Sequence, residues 1–259
     1  MNLLFFLIAL GASVIGGICG IGGGVLMKPL MDLLGLADVD AASFLSSCSV
    51  FVMSLYNVSR SFLDRSGTID LKTTFPLAAG AAAGGLLGNQ IFSAICGAIS
   101  LRIAGIVQSL CLMLLTIATL FYTVKKNTIH PIHIRSASGC VVIGIALGCA
   151  SSFLGIGGGP FNMAVLHYFF GMGTKIAVAN SLFIILLSQS TNLAKSFLSG
   201  SIPTISPFVI FLMVLGGIAG GAIGRKCSKR LSAASVDKLF IGLQLVIVLI
   251  CLWNTANFL

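Results

Sequence analysis

The stretch GICGIGGGVLMKP, residues 17–29, lies within a segment otherwise apolar enough for a membrane helix, yet it puts five glycines into the eight positions 17–24. Glycine leaves a helix more readily than any residue but proline, whereas hydrocarbon demands that every backbone N–H and C=O be hydrogen-bonded. The conflict recurs, because SSFLGIGGGPFNM follows at residues 151–163. Backbone freed at membrane depth has to be satisfied by protein or by a water-filled cavity.

The surroundings place both stretches in a bilayer. A chain of 259 residues with 57% hydrophobic residues, 8% charged residues and mean hydropathy +1.10 has too little polar surface for a soluble globule. Apolar runs fall at 3–19, 24–36, 42–63, 73–93, 101–124, 138–154, 160–170, 177–198, 203–224 and 236–256. Most approach the roughly 20 residues that a spanning helix needs. The two that follow the glycines, 24–36 and 160–170, are too short. The N-terminal run lacks a preceding Lys or Arg and merges into the glycine motif, so it reads as a retained segment and not a signal peptide.

Sliding the chain against itself by 135 positions aligns GIGGG at 20–24 with GIGGG at 155–159. The same register pairs Ser46 with Ser181, Asn57 with Asn192 and Ser61-Phe62-Leu63 with Ser196-Phe197-Leu198. One position later, Gly84, Gly85 and Gly88 meet Gly220, Gly221 and Gly224, and Gln108 meets Gln244. Polar matches in one register indicate an internal duplication, with a first transmembrane repeat over 1–125, a basic connecting loop over 126–135 and a second repeat over 136–259.

Charge decides how the halves are oriented. If each glycine motif tips a re-entrant hairpin followed by three spans, one side of the membrane carries Arg60, Arg65, Lys72, Lys125, Lys126, Arg135, Lys175, Arg225, Lys226, Lys229, Arg230 and Lys238, twelve of the fifteen basic residues. Crossing by both arms of each hairpin would split them evenly, against the positive-inside bias. An odd number of crossings per half makes the repeats inverted and sets both termini away from the cytoplasm. The expected fold is an all-α polytopic membrane protein of two inverted repeats, each a glycine-tipped broken hairpin and three transmembrane helices.

The helices that restart after each break present unpaired N–H groups and a positive dipole end, which together suit an anion. Gly22, Gly23, Gly24, Gly157, Gly158 and Gly159 let the backbone approach that anion closely, and Pro160 suits the first helical position. Two such N-termini would hold a small anion without a buried Lys or Arg, which at that depth costs at least about 2.5 kcal/mol. Gly84, Gly85, Gly88, Gly220, Gly221 and Gly224, spaced along spans, read instead as helix-packing glycines.

The doubled GIGGG, the paired halves and the SFLDRSGTID loop at 61–70 resemble the TauE/SafE family of membrane permeases, also called the sulfite exporter family. The resemblance covers nearly the whole chain. It implies a bacterial inner-membrane permease for small anions such as sulfite, sulfonates, other organosulfur compounds or carboxylates.

Neutral polar residues inside spans complete the expected site. Ser46, Asn57, Ser181 and Asn192 repeat across the halves, while Asn162, Asn180 and Gln189 occur in the second half alone. Each can donate to an oxyanion or, alternatively, tie helices together. Asp32 and His167 share one repeat position and are candidates for coupling to a proton or cation, Asp32 having Lys28 as an alternative partner at i−4. Arg60 and Lys195 stand at span ends, where snorkelling is the default.

Other classes are disfavoured. The eight cysteines show no CxxC or metal-ligand spacing. The net charge of +9 sits in loops, where membrane orientation accounts for it better than nucleic acid does. The glycines lack the strand–helix setting of a nucleotide fingerprint, and no span carries a carboxylate pair or HExxH. No metal or cofactor is expected. A secondary transporter working by alternating access is the leading reading, and an anion channel using the same cavity is the alternative.

Overall fold

The computed structural model describes residues 2–64, 68–98, 101–126, 128–154, 159–200 and 203–258. Ten helices follow the apolar runs closely: α1 (Asn2–Cys19), α2 (Gly24–Leu33), α3 (Val39–Leu63), α4 (Leu71–Ala98), α5 (Leu101–Lys125), α6 (Ala137–Phe153), α7 (Pro160–Phe170), α8 (Thr174–Leu198), α9 (Pro207–Arg230) and α10 (Ala233–Phe258). Among the described residues no strand occurs, and five helices, α1, α3, α8, α9 and α10, are long and apolar enough to cross a membrane. Helix α9 runs six residues beyond the expected end at 224. Its last turns carry Arg225 and Lys229, which find the carboxylate of Asp64, the residue that caps the end of α3, and so hold the extra turns in place.

The first glycine run breaks a helix, and the second falls between α6 and α7, where residues 155–158 lie outside the described residues. Helix α1 ends at Cys19, and Gly20 and Gly22 adopt positive φ (71° and 66°), a region that L side chains enter only at a cost of roughly 1–2 kcal/mol. The chain then reverses into α2, 10 residues long, or about 15 Å. In the second half α7 starts with Pro160 in its first turn after Gly159, and closes with Gly171 in the left-handed conformation, donating to the His167 carbonyl at 2.9 Å. Ile132 and Ile134, just ahead of α6, donate to the carbonyls of Tyr168 and Phe169 at 2.8 and 2.7 Å. The end of α7 therefore lies beside the segment that leads into α6.

The helices pair across the two halves of the chain. Helix α1 packs on α9 and α6 on α4; α3 packs on α9 and α8 on α4; α5 meets α10 and α3 meets α8. Exchanging the halves leaves this set of pairs unchanged. The match extends to single atoms. A Cβ on Gly80, Gly84 or Gly88 would collide with the carbonyls of Val141, Ile145 or Cys149, and a Cβ on Gly216, Gly220 or Gly224 with those of Phe6, Leu10 or Val14. Val141, Ile145 and Cys149 stand 135 positions after Phe6, Leu10 and Val14. Small residues along both partners let the backbones touch, the main source of helix adhesion where lipid is as apolar as leucine.

Directions follow from cross-contacts. Helix α1 runs parallel to α9, while α5 and α10 are antiparallel, since Thr119 faces Gln244 and Lys126 faces Asp237. One face of the bundle collects the ends of α3, α5, α7 and α9 and the starts of α4, α6, α8 and α10. There Asp64 accepts from Arg225 Nη2 at 3.0 Å and Lys229 Nζ at 2.6 Å, and Asp237 accepts from Lys126 Nζ at 2.5 Å and Thr174 Oγ1 at 3.0 Å. The paired lysine and arginine hold the Asp64 carboxyl down to about 2. Outward-facing Leu114, Phe121, Val142 and Leu249 are exposed, as lipid-facing residues are.

Candidate functional site: a glycine turn and a helix start beside α8

The first glycine turn and the start of α7 both lie against α8. Around that turn, residues 16–27 are all buried. A Cβ on Gly20 would strike Val178, and one on Gly22 would press on Val50 of α3 and Ile185 of α8 at 3.1 Å. Ser181, also on α8, donates its hydroxyl to the Gly20 carbonyl. The first glycine turn is thus clasped by a helix of the other half, which satisfies backbone that left its own helix. Gly23 lies against Ala12 of the incoming arm, and Gly24 opens α2.

The start of α7 also lies beside α8. Asn162, in the first turn of α7, is 0% exposed, and among the described residues neither its Nδ2 nor its Oδ1 has a hydrogen-bond partner. It borders a cavity of about 10 Å³, the room of one water, together with Ser151 and Ser152 of α6 and Ser188 and Ile184 of α8. The Ser151 hydroxyl is likewise buried and unpartnered. Leaving such groups unsatisfied costs about 1–3 kcal/mol each, so their concentration at one spot calls for a polar occupant. Ile184 and Ile185 are adjacent residues, so the first glycine turn and the start of α7 meet one turn of α8.

The remaining expected residues are dispersed. Ser46 is buried and donates to the Ser43 carbonyl at 3.0 Å. Asn57 donates to Met53 O at 2.9 Å within α3, near the charged face, and its own carbonyl accepts from Arg225. Asn180 is fully engaged: Oδ1 accepts from Asp70 N and Thr74 Oγ1, and Nδ2 donates to the carbonyls of Thr68 and Ile176. It ties the start of α4 to α8. Gln189 is buried one residue past Ser188, and Asn192 is half-buried one turn further on. His167 Nδ1 lies 2.7 Å from the Tyr122 hydroxyl, at the charged end of α7 and away from the cavity. The Asp32 side chain, Gly157 and Gly158 lie outside the described residues.

Sequence reasoning singled out Asn162 but passed over Ser151, Ser152 and Ser188. A signal was present, since the Ser-Ser pair directly ahead of the second glycine run has only Gly16 and Gly17 opposite it in the first half.

Comparison with known families bears on this architecture. The profile described as sulfite exporter TauE/SafE matches residues 5–250. The chain belongs to the TauE/SafE family. This TauE/SafE protein is 25% identical over 262 residues to the probable membrane transporter protein YunE of Bacillus subtilis (strain 168), covering 93% of the chain and 96% of the relative. It is also 25% identical over 244 residues to a probable membrane transporter protein of Xylella fastidiosa (strain Temecula1), covering 92% and 90%. No solved structure matches it. A multi-pass membrane transporter is accordingly what the family and the apolar helices together describe.

Proposed function

We propose that this TauE/SafE protein is a secondary transporter for a small anion of the sulfite, sulfonate, organosulfur or carboxylate type, working by alternating access about a midplane site between the two glycine-tipped hairpins. The observation that supports the reading is that the clasped first glycine turn and the start of α7 meet α8 at neighbouring residues, Gly22 against Ile185 and the unsatisfied Asn162 beside a polar cavity bordered by Ile184. Helix N-termini and neutral side chains bind an anion there without a fixed cation in the membrane.

The antiparallel course of α5 and α10 supports inverted repeats. A two-fold axis along the membrane normal would have made these helices parallel, whereas an axis in the membrane plane reverses one against the other. Inverted halves supply two opposed conformations of equal construction, which is what alternating access requires. The face that gathers Lys126, Arg225 and Lys229 is then cytoplasmic, with the termini on the other side of a bacterial inner membrane. Gly22, Gly23 and Gly24 at the first turn and Asn162 in the first turn of α7 are the proposed contacts nearest the anion, and Ser181 holds the Gly20 carbonyl beside them. Ser46, Asn57, Asn180, Gln189 and Asn192 shape the surrounding helices.

Proteoliposomes preloaded with unlabelled anion test the function. Transient uptake of labelled sulfite or sulfonate against its gradient, saturable in concentration, is the expected result. Flux that ignores the preloaded anion indicates a channel and defeats the proposal.

A further inference from the structure

We infer that side-chain recognition in this site is one-sided and selects singly charged oxyanions: Ser151, Ser152, Asn162 and Ser188, all of the second half, form a neutral donor cluster that binds a monoanion and rejects a dianion. The inference rests on the transporter reading above and goes further, to the residues and the charge state they accept.

The asymmetry is visible in the duplication itself. At the matching positions of the first half stand Gly16, Gly17, Met27 and Met53. Met27 and Met53 are both 0% exposed and pack against the first hairpin and α9, with Met27 Cε 3.0 Å from where a Cβ on Gly23 would stand. That half retains Ser13, whose hydroxyl has no partner among the described residues, and Ser49, which donates to Met213 O at 3.0 Å. Its equivalent of the cluster is therefore plugged by two thioethers. Side-chain recognition of the anion thus falls to the second half.

The charge preference follows from the lining. Ser151, Ser152, Asn162 and Ser188 line the cavity, three hydroxyl residues and an amide, and among the described residues no lining residue carries a charge. Hydroxyl and amide donors stabilise an anion but add no net positive charge, so the Born cost of bringing the ion out of water remains. That cost grows with the square of the charge and is roughly four times larger for a dianion than for a monoanion. Neutral donors that suffice for the first do not suffice for the second. The cavity, at about 10 Å³, must widen to admit an oxyanion larger than water. Movement of α7 against α8 achieves this, since Asn162 is on one helix and Ile184 and Ser188 are on the other.

Calorimetric titration of the purified transporter with methanesulfonate, a monoanion, and sulfate, a dianion, provides the test. Methanesulfonate is expected to bind at least about tenfold more tightly than sulfate, and Asn162→Ala and Ser188→Ala each to weaken methanesulfonate about tenfold or more, the scale of a hydrogen bond to a charged group. Met27→Leu in the first half leaves binding unchanged. Equal affinity for sulfate overturns the charge selection. Wild-type affinity in both variants, or in Ser188→Ala alone should Asn162→Ala fail to fold, overturns the assignment of the cluster. Anion counterflow by the wild type with no methanesulfonate binding leaves the transporter reading standing and reduces the cavity to a water site, whereas absence of counterflow for every anion defeats the reading beneath it.

Discussion

Asn162 shows how one residue can carry a functional argument. A buried amide with both of its atoms unpartnered is rare in a folded protein, and here it lies at a helix start beside three serines. Asn180, equally buried and equally suggestive in sequence, spends every hydrogen-bonding group on its neighbours. The two cannot be distinguished from the sequence, because what separates them is the reach of residues 68–74, more than a hundred positions away. Packing glycines make sharper predictions. Gly84→Ala places a Cβ against the Ile145 carbonyl and is expected to cost about 1–3 kcal/mol, read as a lowered unfolding midpoint in detergent, and Gly220→Ala the same through Leu10. Asp64 gives a pH dependence. Its carboxyl ionises at about 2 in the folded protein, held there by hydrogen bonds from Lys229 and Arg225, against roughly 3.9 when unfolded. The folded value is depressed, so the stabilisation is complete above about 4 and is lost as pH falls through about 2. Wild type is therefore expected to exceed Asp64→Asn in thermal stability near neutral pH, with the two converging in strong acid.

At the scale of elements, the helices were largely legible in the sequence. Hydrocarbon imposes long apolar runs and punishes polar backbone, so helix boundaries and breaks both show in composition. The short helices after GIGGG, Pro160 in the first turn of α7 and the packing role of the paired glycines all follow from that constraint. The clasping of the first turn by the opposite half was not legible. Val178, Ser181 and Ile185 look like ordinary span residues until α8 is placed against Gly20 and Gly22. That contact sets a prediction for the hairpin. Gly22→Ala must relieve both a positive φ and pressure from Val50 and Ile185, and is expected to lose transport while still folding in the membrane. Gly35→Ala, also at positive φ but with open space around it, bears only the backbone cost of about 1–2 kcal/mol and keeps transport.

At the scale of the molecule, the pairing of α1 with α9 and α6 with α4 means that neither half buries its first helix by itself. The halves interlock, and a hinge that separated them as rigid blocks would tear apart backbone contacts at six glycines. Movement is expected instead within each half, as the short helices α2 and α7 shift against α3 and α8. The orientation proposed from the charge bias has its own test: a reporter active only in the cytoplasm is expected to be silent when fused after Leu259 and active when inserted into the 126–135 loop. The central claim, that both broken hairpins serve one anion site, is tested most directly by counterflow of labelled methanesulfonate in proteoliposomes carrying Gly22→Ala or Asn162→Ala. The account predicts that either change, one in each half, abolishes counterflow while Gly35→Ala retains it; wild-type counterflow by correctly folded Gly22→Ala would contradict it.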